Sequence, residues 1–162
     1  MRLVMSVGCL VMGIVAAACR DSTAPTAPSA LVGAWMAPRE TLRPSGSMTR
    51  YLGFSEDGTF VYTVNSYGIY GGSTPGQLSA YTITTGSYQV DGDRIALTAK
   101  RVTTWDSFYG AGSPERVELV STSIFDQARF SIVVGLLTLD YITYPADAPV
   151  PTRLSFVRLM PD

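Results

Sequence analysis

From Leu31 to Met160 the chain repeats a single theme. Short runs rich in Val, Ile, Thr, Tyr and Phe alternate with breaks built from Gly, Asp, Ser and Pro. Branched and aromatic side chains suit a pleated, half-buried surface. Runs of them bounded by turn residues read as strands. The expected strands lie near 31–35, 50–55, 59–65, 79–90, 94–104, 116–122, 129–134, 136–144 and 153–160. Within them apolar residues fall on every second position: Leu52 and Phe54; Phe60, Tyr62 and Val64; Tyr88 and Val90; Ile95 and Leu97; Leu154 and Phe156. Side chains two apart in a strand share a face, so each set points toward one core. Glu56-Asp57-Gly58 and Asp91-Gly92-Asp93 each supply the glycine that a tight hairpin needs, and Ser113-Pro114 breaks the chain before the next run. Gly86 sits inside a long strand, where glycine marks a bulge or sharp bend. Eight or nine short antiparallel strands in sequence predict an all-β fold, an up-and-down barrel or a sandwich. The barrel has the advantage of leaving no exposed edge.

Composition narrows the chemistry further. The 162 residues allow one domain, and a hydrophobic fraction of 46% against 15% charged is ample for a buried core. Histidine is absent, which removes the commonest general base and zinc ligand. The two cysteines, Cys9 and Cys19, both precede the strands, so the folded part offers neither a disulfide nor a thiol nucleophile. Lys100 is the single lysine, and no serine has an evident base beside it. With a net charge of −1 and scattered cations, nothing suggests a nucleic-acid partner. The carboxylates lack the spacing of a calcium loop, so Asp91, Asp93, Glu56 and Asp57 read as turn residues and no metal is expected. Asp126 and Asp140 lie in or beside apolar strands. Asp140 is expected to point outward or to pair with an arginine such as Arg129.

The first residues carry an address. Met1-Arg2, an apolar run from Leu3 to Val15, and Ala16-Ala17-Ala18 before Cys19 make a secretory signal too short to serve as a stable bilayer span. Small residues directly before a cysteine resemble the lipobox of bacterial lipoproteins, although Ala16 stands where leucine is usual. The resemblance implies cleavage after Ala18 and a diacylglyceryl-modified Cys19 at the mature N-terminus. Residues 1–18 are then a signal peptide. Residues 19–30, small, polar and proline-bearing, form the lipidated cysteine and a flexible tether, and 31–162 form the domain. Arg20 directly after the cysteine implies the outer membrane, facing the periplasm.

Leu31-Val32-Gly33-Ala34-Trp35 resembles the Gly-x-Trp opening of lipocalins. The hairpin segments 52–60 and 86–95 resemble bacterial lipocalin-like domains, often carried on lipoproteins. That resemblance implies a barrel in which Gly33 allows close backbone passage, Trp35 plugs the closed end and a last-strand arginine stacks on the indole. Arg158 is the expected partner, with Arg153 in reserve. It also implies a cup for a small apolar molecule, with Phe54, Phe60, Tyr62, Tyr88, Phe130 and Phe156 facing inward as ligand contacts. Whether these aromatics line a cavity or simply fill the barrel is left open. Two glycine-rich loops, 65–78 and 106–113, place Tyr67, Tyr70, Trp105 and Tyr109 for contact at the mouth.

These readings lead to a lipid-anchored envelope protein with a lipocalin-like barrel that binds a small hydrophobic molecule or lipid, with no catalysis and no cofactor. The alternative is a structural or interaction lipoprotein that meets an envelope protein or glycan through its aromatic loops. A monomer is the favoured state.

Overall fold

In the computed structural model, residues 28–42, 46–68, 74, 76–108 and 113–159 are described. The expected signal peptide, Cys19, most of the tether, Tyr70 and Tyr109 lie outside the described residues.

The strands are β1 (Gly33–Met36), β2 (Glu40–Leu42), β3 (Gly46–Phe54), β4 (Thr59–Tyr67), β5 (Leu78–Asp91), β6 (Arg94–Asp106), β7 (Arg116–Ile124), β8 (Asp126–Val133), β9 (Leu136–Thr143) and β10 (Val150–Arg158). All pair antiparallel, and β1 bridges β10 to β3, which closes the sheet on itself. Two pairs of these segments act as single bent strands. β1 and β2 both run along β3, with the Ala37 amide donating to the Arg50 carbonyl between them at 2.9 Å. β7 and β8 both run along β6 and are separated only by Phe125. The result is an eight-strand up-and-down barrel, as the alternation predicts.

The sequence boundaries need four corrections. Leu31 is not in a strand but in a turn ahead of β1, where it is fully buried. β4 continues to Tyr67, so that tyrosine is a strand residue and not a loop residue. β2 has no counterpart in the sequence reading, because three residues are too few to show a period. The expected strand at 129–134 begins earlier, at Asp126, and continues the line of β7.

The two ends of the barrel differ. At one end lie the tight turns around Gly58, Gly92 and Gly135, together with the point where the chain enters. Each of these glycines has positive φ, the backbone state that a short hairpin demands and that other residues resist. The longer connections between β4 and β5, β6 and β7, and β9 and β10 lie at the opposite end.

The core sits at the tight-turn end. Leu31, Trp35, Leu52, Phe54, Phe60, Tyr88, Leu97, Leu137, Leu139 and Phe156 are buried there. Phe54 meets Tyr88 edge to face at 4.9 Å. The Tyr88 hydroxyl donates to the Ser55 carbonyl at 2.8 Å, which lets a phenol sit among apolar neighbours. Burying one such side chain contributes roughly 1.5–3 kcal/mol. The wall bulges between Thr85 and Gly86, as the glycine predicts. A Cβ on Gly86 would stand 2.0 Å from the Thr98 carbonyl oxygen, so only glycine lets the two backbones approach.

Trp35 and Arg158 close this end. Trp35 is fully buried and donates its indole N–H to the Leu31 carbonyl at 2.9 Å. Arg158 lies directly opposite it in register, with its guanidinium carbon 4.4 Å from the ring centroid. The same guanidinium donates to the carbonyls of Val32 and Ala30. Gly33, at φ +129°, leaves room for it: a Cβ there would come within 3.1 Å of the guanidinium nitrogen. Arg153 takes no part. It lies on the outer face and pairs with Asp140 at 2.6 Å.

Candidate binding site

Toward the open end the inward positions change character. Above Leu52 on β3 comes Arg50, and above Phe60 on β4 come Tyr62, Val64 and Ser66. Across the ladders these face Thr82 and Thr84 on β5, then Thr104 and Val102 on β6. Most of these residues are half-buried, whereas the inward residues below them are sealed.

The boundary between the two halves is an aromatic row. The rings of Tyr62 on β4 and Phe125 lie 5.1 Å apart, and those of Phe125 and Tyr141 on β9 lie 4.9 Å apart, both edge to face. Phe125 reaches this central place because the β7–β8 strand bulges there. Leu97 pairs with Ile124 and Arg94 with Arg129, so β6 spends two residues where the other strand spends four. Phe125 and Gln127 absorb the surplus at φ +55° and +52°. Left-handed backbone costs a non-glycine residue roughly 1–3 kcal/mol. Burial of the Phe125 ring is of the same size and offsets one such cost.

Arg50 is the charge of this region. It donates to Glu40 at 2.7 Å and lies near enough to the Tyr62 hydroxyl to favour its ionised form. Burial works against its charge, yet the Glu40 hydrogen bond and the nearby phenols outweigh it and hold the guanidinium protonated. Burial pushes Tyr62 up to about 12, with Arg50 opposing the rise. Burial also raises Tyr141. At neutral pH this part of the site is therefore the Arg50–Glu40 ion pair beside neutral phenols and threonine hydroxyls.

Of the residues expected to touch a ligand, Phe54, Phe60, Tyr88 and Phe156 are packed core, while Tyr62 and Phe130 are partly buried against it. Only Tyr62 also belongs to the aromatic row. Arg50, Phe125 and Tyr141 were not expected in the site. Arg50 shares parity with Leu52 and Phe54, the signal that marks it as inward. Tyr67 stacks under Arg39, 5.1 Å from its guanidinium carbon. Trp105 lies within β6 near its end, stacked on Tyr81 at 5.6 Å, and donates to the Ser113 carbonyl at 3.1 Å. Neither belongs to the aromatic row.

A hollow lies on the flank where β6 and β8 part. It measures about 800 Å³ and is lined by Gln89, Arg94, Ser123, Phe125, Gln127 and Arg129, among others. A second hollow, of about 530 Å³, shares Gln127 and Arg129 with it and continues over the Asp140–Arg153 pair. Among the described residues no group of three or more Asp, Glu, Cys or His is placed to hold a metal ion. The chain matches no protein-family model and no curated protein sequence.

Proposed function

We propose that the protein is a lipid-anchored envelope protein whose lipocalin-like barrel holds a small hydrophobic or amphipathic molecule in its open half, without catalysis. The observation that supports this is the division of the interior. Apolar side chains fill the closed half, and the row Tyr62–Phe125–Tyr141 then makes a floor beneath half-exposed inward residues. An apolar body would rest on that floor, and a polar end would meet Arg50 and the threonines. The anchor part of the reading rests on the signal-like segment and Cys19.

Native mass spectrometry of the protein extracted from its own membrane tests both parts. The expected spectrum carries an acylated N-terminus and a co-purifying small molecule. Phe125→Ala should lose that molecule while keeping the acyl mass, because it opens the floor without touching the leader. An unliganded wild-type protein, together with no retention of an added fatty acid, would refute the binding reading. An unmodified Cys19 would refute the anchor.

A further inference from the structure

The hairpin that joins β8 to β9 carries an unfavourable residue for its backbone. Its two loop residues, Val134 and Gly135, have φ of +48° and +74°. A turn of that kind is normally built from Asn-Gly or Asp-Gly, and a β-branched residue is strained in it. The tight turns around Gly58 and Gly92 do carry carboxylates, Glu56 and Asp57 in one and Asp91 and Asp93 in the other. Here a valine takes the strained position with its side chain wholly in solvent, at 101% exposure. No charged residue lies between Phe130 and Leu139.

Around Val134 the outer wall is layered. Nearest the turn, Val133, Leu136 and Val157 lie side by side across β8, β9 and β10, all exposed. Exposed Leu159 follows, its amide donating to the Ala34 carbonyl at 2.8 Å. The next outward positions on the same three strands are Ser131, Thr138 and Ser155, and the next again are Arg129, Asp140 and Arg153. Aliphatic, hydroxyl and charged side chains thus succeed one another in steps of two residues, roughly 7 Å each. A bilayer surface changes in the same order, from hydrocarbon through an interfacial region to polar headgroups.

We infer that this corner of the closed end rests in the lipid surface, with Val134 as its deepest point. The inference rests on the reading of Cys19 as a lipid anchor, and it adds a second contact with the membrane. The chain arrives beside the patch: Arg158, between Val157 and Leu159, holds the carbonyls of Ala30 and Val32. From Pro28 back to Cys19 is nine residues, about 30 Å at full stretch, so the anchor keeps the corner within reach of the bilayer. An exposed apolar patch marks a contact with protein or with membrane. The layering and the nearness of the anchor favour the membrane. Retention belongs to the acyl chains, and the patch fixes which side of the barrel faces the lipid.

A polarity-sensitive dye on Val134→Cys tests it in the full-length protein extracted from its own membrane. The labelled protein is returned to vesicles of phosphatidylethanolamine with a minor share of phosphatidylglycerol, some lipids bearing a nitroxide on the acyl chain, and is floated on a density gradient. The dye should emit to the blue of its position in water, and the nitroxide should quench most of that emission. Leu119→Cys, also apolar and 86% exposed but farther up the wall on β7, should stay unquenched. The parent chain treated with the same reagent controls for Cys9 and Cys19. Floating protein whose dye at 134 behaves like the one at 119 overturns the inference and leaves the anchor standing. Protein left at the bottom of the gradient overturns both. A blue-shifted dye that the nitroxide does not quench means that protein covers the corner, a second copy or another part of this chain, and overturns the inference as well.

Discussion

Tyr62 carries the clearest residue-scale consequence. Its hydroxyl ionises near 10 in an unfolded chain and is pushed up to about 12 by burial in the fold. Between those values the folded state holds a proton that the unfolded state has lost. Stability is thus fully present below pH 10 and drains away as pH rises toward 12, by roughly 2–3 kcal/mol at most. Urea unfolding followed from pH 9 to about 12 should show this decline, and Tyr62→Phe should flatten the part due to this residue. An unchanged slope in the variant would mean that other phenols carry the effect. Single residues were legible in the sequence where parity alone decides their side. Arg158 stacks where the count from Leu154 and Phe156 places it. Arg50 obeys the same count and was missed, because a charged residue in a strand is read as solvent-facing unless a partner such as Glu40 is known.

At the scale of elements, the bulges decide the shape of the wall. Gly86 is the sharpest case: Gly86→Ala drives a methyl group into the Thr98 carbonyl, a backbone atom that cannot swing away. A loss of about 3 kcal/mol or more is expected, read as a drop in melting temperature, whereas Gly92→Ala meets no atom and suffers only its positive φ. The sequence announced the Gly86 bulge because glycine interrupts a long strand. It did not announce the one at Phe125. No glycine marks that site, and the apolar alternation simply changes phase there, which reads as two strands with a gap. Much of the candidate site was hidden for the same reason, since the bulge is what carries Phe125 to the centre of the barrel. β2 escaped because its order comes from the ladder with β3 and not from any pattern of its own.

For the whole molecule, the eight-strand closure was readable, because alternation, hairpin turns and strand count all agreed. How far the closure extends was not. The barrel is sealed where β1 meets β3 and β10, but the upper parts of β7 and β10 each keep a side without a strand neighbour among the described residues. The seal also depends on residues ahead of the first strand. Leu31 is buried and its carbonyl receives the Trp35 indole, while Arg158 holds Val32 and Ala30. A chain starting at Gly33 should therefore be less stable than one starting at Pro28 by about 3 kcal/mol, from the lost leucine and the orphaned indole N–H. Chemical denaturation of the two truncations compares them directly, and equal midpoints would show that the latch contributes nothing.

The side on which the chain enters also sets which way the molecule stands. Pro28 leads into the sealed floor through Leu31 and the Arg158 latch, while the long connections lie at the far rim. If Cys19 is the foot, only a short stalk separates floor from bilayer, and the vessel is held upright with its rim toward the aqueous space. A molecule held in the open half, as proposed, would then be exchanged with the aqueous space or the facing surface, and not drawn up directly from the lipids beneath.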